Sequence, residues 1–130
     1  MRILMLGILA GVGLVACAPM QPVLVPSEWQ VTMLDGRALT AGDRVTMQFA
    51  EGRVAGVSGC NRYTGPLVLG DENVIGFGLL ATTRMACPGE AATIEAAFVQ
   101  QMGRIDSYRF ERGNLVLYAR GAEVMRARRE

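Results

Sequence analysis

Tight turns punctuate this chain at short intervals, and they limit what it can fold into more than any other feature. Asp35-Gly36, Glu51-Gly52, Asp71-Glu72-Asn73, Arg112-Gly113-Asn114 and Arg120-Gly121 each separate short apolar runs. Residue pairs of this kind tolerate the backbone of two-residue hairpin turns. Between them the apolar residues alternate. Arg44 to Phe49 is the clearest case, with Val45, Met47 and Phe49 on one face and Arg44, Thr46 and Gln48 on the other. Trp29 to Met33, Arg53 to Val57, Pro66 to Leu69, Val74 to Leu79, Ser107 to Glu111, Leu115 to Tyr118 and Glu123 to Arg128 also read as strands. Gly76 and Gly78 lack the rest of a dinucleotide fingerprint and mark a bulge or close packing within a strand. Trp29, at the start of an apolar strand, reads as core rather than as a ligand platform.

One stretch breaks the two-residue period. In CPGEAATIEAAFVQQMG, residues 87–103, Ile94, Phe98 and Met102 repeat at helical spacing, with Ala91 and Ala97 close to the same face. Pro88 suits the first turn, Glu90 favours the positive helix end, and Gly103 can cap the other end. Strands, one helix, then strands predict an α+β fold: a small, curled, barrel-like antiparallel β-sheet with one packed α-helix.

The N-terminus predicts the compartment. Arg2 precedes an uncharged apolar stretch from Ile3 to Ala16. As a helix it would span roughly 21 Å, short of the roughly 30 Å hydrocarbon core, so it fits a signal peptide better than a membrane span. Leu14-Val15-Ala16-Cys17 resembles the lipobox of bacterial lipoproteins, in which the cysteine is acylated and becomes the mature N-terminus. Ordinary secretory cleavage is the competing reading, with Pro19 poorly placed after its cut. The expected organisation is a lipoprotein signal peptide over 1–16, an acylated Cys17 with a tether containing Pro19, Pro22 and Pro26 over 17–27, and a domain over 28–130. Acyl chains contribute about 0.8 kcal/mol per buried CH₂, which makes the membrane the expected partner. Ala18, where an aspartate often signals inner-membrane retention, leans towards the outer membrane, facing the periplasm.

Absent residues exclude more than the charge balance does. Thirteen arginines face twelve acids for a net charge of +1, with no lysine and no histidine. No phosphate-backbone partner is implied. The basic tail at Arg126, Arg128 and Arg129 reads as a solvated end. Without histidine there is no Ser-His-Asp arrangement and no imidazole metal ligand; without lysine there is no Schiff base and no P-loop. Ser58, in GVSGC, approaches a nucleophile elbow but lacks its last glycine and any activating histidine. Asp71, Glu72 and Glu90 are the nearest acids for carboxylate chemistry, and their spacing demands none. No catalytic residue, metal or cofactor is expected. With Cys17 acylated, Cys60 and Cys87 form an even pair in an oxidising compartment, which favours a disulfide. A redox centre would want C-x-x-C, and a zinc site would want further ligands.

Taken together, Trp29, GCNRYTG (59–65), GFGLLATTRMACPG (76–89), the helix bearing Phe98, and GNLVLY (113–118) resemble the META domain, the HslJ-like family of envelope lipoproteins. The resemblance runs from Trp29 to Arg128. It implies a compact β-rich domain with a helix on the sheet, often lipid-anchored and sometimes linked to heat shock or envelope stress, and it brings no catalytic reaction. Its signature falls here on Gly59, Cys60, Asn61, Arg62, Tyr63, Gly65, Thr83, Arg84, Met85, Ala86 and Cys87.

A Cys60–Cys87 bridge would draw Arg62 and Arg84 towards one face. Asn61, Arg62, Tyr63, Thr83 and Arg84 are therefore the candidate binding face, suited to a small anionic ligand or a periplasmic protein. Alternatively the two arginines pair with Asp71, Glu72 or Glu90 and brace the loops, and Asn61 takes a left-handed turn. The expected function is a non-enzymatic, monomeric, lipid-anchored periplasmic domain for envelope maintenance or stress tolerance. The alternative is a small inhibitor of a periplasmic hydrolase such as lysozyme or a protease. Replacing the acylation site, Cys17→Ala, should move the protein from the membrane pellet to the soluble fraction and remove the acyl mass. Continued pelleting of an unacylated chain would overturn the anchor.

Overall fold

The structure, a computed structural model, describes residues 10–15 and 23–130; Cys17 and the start of the tether lie outside the described residues. The elements are β1 (Ser27–Leu34), β2 (Arg37–Ala38), β3 (Thr46–Ala50), β4 (Arg53–Val57), β5 (Arg62–Leu69), β6 (Ile75–Phe77), β7 (Ala81–Thr82), α1 (Glu90–Met102), β8 (Ser107–Glu111), β9 (Asn114–Ala119) and β10 (Ala122–Arg129). The strands form one antiparallel sheet in the order β6-β5-β4-β3-β1-β10-β9-β8, with β2 on β1 and β7 on β5. Its two ends meet where Val74 bridges Ser107. There the Ile75 N–H donates to the Asp106 carbonyl at 3.1 Å and the Tyr108 N–H to the Asn73 carbonyl at 3.0 Å. The sheet is thus nearly closed into a barrel, which protects strand edges that would otherwise invite pairing. The α+β, barrel-like expectation with a single helix holds.

The turns follow their residues. Asp35 and Gly36, Arg112 and Gly113, and Arg120 and Gly121 each place successive residues at positive φ, as twisted two-residue hairpins require. Several strand limits differ from the sequence reading, β3 among them, which starts at Thr46 and leaves Arg44 ahead of it; two of the differences have a local cause. β5 begins at Arg62 rather than Pro66, because Tyr63, Gly65 and Leu67 continue one buried face through the proline. β6 stops at Phe77, because Gly78 lies against the Pro66 ring, where a Cβ would come within 2.7 Å. The folded domain also starts earlier than expected. Leu24 is buried in the core and Ser27 already belongs to β1, so the end of the presumed tether is part of the domain.

The helix carries its predicted face. Ile94, Phe98 and Met102 are buried, and the Phe98 ring centroid lies 4.9 Å from that of Tyr63. Pro88 precedes the N-cap, Gly89, instead of opening the first turn, and Glu90 pairs with Arg37 at 2.8 Å. Trp29 is core: its Nε1–H donates to Ser27 Oγ at 2.6 Å, and the Arg129 guanidinium stands 5.0 Å over its ring. The basic tail is therefore not a loose end. Arg126 pairs with Glu111 and Glu123, and Arg128 donates to the Gln30 side chain.

Between β3 and β4 the ladder opens at one point. Thr46, expected on the polar face, is buried; its hydroxyl accepts the Val57 N–H at 3.0 Å, while its carbonyl accepts the Tyr63 hydroxyl at 2.7 Å. Side chains thus satisfy backbone groups that the ladder leaves. The approach is close enough that a Cβ on Gly56 would fall 2.2 Å from the Thr46 carbonyl oxygen, whereas one on Gly76 would meet nothing within 4 Å. Gly56→Ala should therefore cost about 1–3 kcal/mol or more. Gly76→Ala should stay within about 0.5 kcal/mol of wild type. Urea unfolding midpoints separate the two, and equal midpoints would refute the close approach.

Candidate functional site

The two cysteine segments are joined as expected. Cys60 and Cys87, 27 residues apart in sequence, form a disulfide with a Cα–Cα distance of 6.0 Å. Closing a loop of that length stabilises the fold by about 3.5 kcal/mol in the chain-entropy view.

Hydrogen bonds repeat the connection. Asn61 Oδ1 accepts the Met85 N–H at 2.7 Å and the Thr83 hydroxyl at 3.1 Å. The Arg62 N–H donates to Thr83 Oγ1 at 3.1 Å, and the Thr83 N–H donates to the Arg62 carbonyl at 3.0 Å. Asn61 is right-handed or extended rather than in the left-handed turn; Gly59, with φ of 100°, takes that role. A Cβ on Gly59 would lie 3.0 Å from Ile94 Cγ2, so this glycine also lets the helix seat.

Glu95 completes the clasp from α1. Its Oε1 accepts the Ser58 hydroxyl at 2.5 Å and the Asn61 N–H at 3.0 Å, and its Oε2 accepts Asn61 Nδ2–H at 2.8 Å. Burial is the largest single influence on this carboxyl and raises its pKa; the hydrogen bonds from Ser58 and Asn61 together outweigh it, leaving the pKa below the ordinary glutamate value of 4.5. Sequence reasoning missed Glu95. The available signal was an acid beside Ile94 in a helix of otherwise small and apolar neighbours. Ser58 is fully buried and held by this carboxylate, which accounts for it without nucleophile chemistry.

The candidate binding face divides. Asn61 and Tyr63 are buried, so they belong to the interior and not to an exposed face. The Tyr63 hydroxyl is spent on the Thr46 carbonyl, and burial pushes its phenol far above the usual range. Arg62, Thr83 and Arg84 remain exposed. The bracing alternative is not realised: among the described residues Glu90 pairs with Arg37, and neither Arg62 nor Arg84 forms an ion pair. Asp71 and Glu72 sit exposed on the turn between β5 and β6.

Arg62 lines two cavities flanking β5. One, of about 250 Å³, also takes in Arg44, Thr46, Gln48 and Gly56. The other, of about 360 Å³, takes in Thr64, Ala81, Thr82 and Thr83. Arg84 lines neither. The arginine that shares a cavity with Arg62 is Arg44, which the sequence placed on the polar face of its strand without linking it to the cysteine segment. Among the described residues no group of three or more Cys, Asp or Glu is placed to hold a metal, and no helix is long and apolar enough to cross a membrane.

The clasp predicts a pH response. A depressed folded-state pKa means that Glu95 contributes in full above the ordinary value of 4.5, and that this contribution is lost as pH falls through the folded-state value. Glu95→Ala leaves the Ser58 and Asn61 donors without their acceptor and should cost about 1–3 kcal/mol at neutral pH. Glu95→Gln should flatten the acid limb of the stability curve. An unchanged acid limb in Glu95→Gln would overturn this account.

Comparison with known proteins agrees with this geometry. The model of the META domain matches residues 22–130. A protein from Burkholderia xenovorans, solved by NMR, superposes with a TM-score of 0.66 at 25% identity, over 96% of this chain and 99% of that one. A second NMR structure superposes with a TM-score of 0.63 at 17% identity, over 83% of this chain and 94% of that one, and shares the fold. No curated protein matches the sequence.

Proposed function

This chain belongs to the META domain family, and from that premise we propose that it is a non-enzymatic, lipid-anchored protein of the outer membrane, facing the periplasm. In this reading it serves envelope maintenance or stress tolerance by binding a partner or ligand. One observation carries the binding role. Arg62 lies in the family signature, its backbone is fixed by Thr83, and its exposed guanidinium has no acidic partner among the described residues. A folding role for Arg62 would call for such a partner, since an exposed unpaired cation contributes little to stability. The lipobox at Cys17 supports the anchor, and a Cys60–Cys87 disulfide suits an oxidising compartment.

A second reading, inhibition of a periplasmic hydrolase such as lysozyme or a protease, is favoured by the segment between β6 and α1. Leu79 and Met85 project from it with 95% and 60% exposure, and the disulfide fixes its end at Cys87.

Complementation of a deletion strain tests the binding reading. Arg62→Ala should unfold within about 0.5 kcal/mol of wild type yet fail to restore envelope tolerance of heat and detergent. Full restoration by Arg62→Ala would sink it. If loss of function follows Leu79→Asp and Met85→Asp instead, with capture of a hydrolase by the wild type, the inhibitor reading takes its place.

A further inference from the structure

The open point of the β3–β4 ladder underlies the cavity that Arg62 shares with Arg44. Its lining includes Thr46 and Gln48, and Gly56 leaves it room. Among the described residues no acid lines it. Two other cavities carry paired arginines. The one at Arg104 and Arg120 has no acid in its lining either, and it lacks the neutral side-chain donors that Thr46 and Gln48 add here. The one at Arg112 and Arg126 includes Glu111, which pairs with Arg126.

We propose that the Arg44–Arg62 cleft binds an oxyanion, a carboxylate or phosphate group carried on a small or headgroup-sized ligand. This deepens the binding role assigned to Arg62 and rests on it. Two guanidinium groups offer forked donors that match the planar edge of a carboxylate or two phosphate oxygens. The Gln48 amide and Thr46 hydroxyl add neutral donors on the β3 side. A volume of about 250 Å³ admits an anionic head and little more. Drug-sized ligands and cofactors occupy roughly 300–1,000 Å³, so the rest of a larger ligand would lie outside.

The cleft is built before any ligand arrives. Tyr63 follows Arg62 in β5 and ties that strand to β3 through the Thr46 carbonyl, while Thr83 fixes the Arg62 backbone from the other side. β5, which bears Arg62, and β3, which Arg44 precedes by two residues, are thus held at a set spacing by bonds independent of either guanidinium. Preorganisation of this kind lowers the ordering cost of binding. It also means that truncating either arginine leaves the fold intact.

Titration of the isotopically labelled mature protein in detergent micelles, followed by NMR at constant ionic strength, tests the site. Sodium succinate, inorganic phosphate and glycerol 3-phosphate are the probes, with chloride as the balancing anion. At least one should give saturable shifts at the Gly56, Val57 and Arg62 amides. Arg44→Gln and Arg62→Gln should each weaken that binding at least tenfold, while Arg104→Gln/Arg120→Gln leaves it unchanged. Tighter binding of glycerol 3-phosphate than of phosphate points to a lipid headgroup as the source; the reverse points to a free anion. Non-saturating shifts, or equal loss in the Arg104/Arg120 variant, overturn the site. If no probe binds while Arg62→Ala still fails to complement, the oxyanion assignment falls and the wider binding role stands. If a probe binds and Arg62→Ala complements, the site stands and that role falls.

Discussion

The Glu95 carboxylate is the point at which the helix is fastened to the signature loops. Through Ser58 and Asn61 it fastens α1 to the segment entering β5, and through Asn61 it reaches Thr83 and Met85 in the strap beyond β7. The disulfide joins that same segment to the residue just ahead of the helix. The covalent link and the hydrogen bonds to the carboxylate therefore act on one small region, and each reduces the entropy that the other must overcome. Ile94 and Phe98 then bury the helix face against glycine and tyrosine already held in place.

The family signature can be understood as this clasp. Gly59 supplies a backbone and a clearance that a side chain would deny, Asn61 supplies both a donor and an acceptor to two separate segments, and Tyr63 bonds across to β3. Each is accounted for by folding. Arg62 and Arg84 are members whose side chains form no ion pair among the described residues, and of the two only Arg62 lines a cavity shared with another arginine.

Much of the architecture was legible because it depends on local rules. The strand alternation, the positive-φ turns at Asp35-Gly36, Arg112-Gly113 and Arg120-Gly121, and the Ile94-Phe98-Met102 stripe follow from residues a few positions apart. The misses share a cause as well. Asn61 looks like a turn former and Tyr63 like an exposed aromatic until the partners at Glu95, Met85 and Thr46 are brought near, and those lie far off in sequence. Arg84 lies three residues before a bridged cysteine, yet the path of the strap keeps it out of both cavities that Arg62 lines. Arg44 reaches Arg62 only because β3, β4 and β5 are successive neighbours in the sheet. Pairing across a sheet is set by register, which no stretch of sequence displays by itself.

The position of β1 has a mechanical consequence. This first strand lies inside the sheet, hydrogen-bonded to β3 from Ser27 to Gln30 and to β10 from Trp29 to Leu34. Tension on the residues ahead of Ser27 would run along the strand and load both ladders in shear, so many bonds would have to yield together. A strand pulled at right angles to its ladder would instead peel away one bond at a time. The Arg129 side chain, which donates to the Val23 carbonyl, adds a tie ahead of the first ladder bond. Resistance to a pull is governed by the unfolding rate rather than by equilibrium stability, and a domain held from its N-terminal end in this geometry would resist a steady tug better than its size suggests.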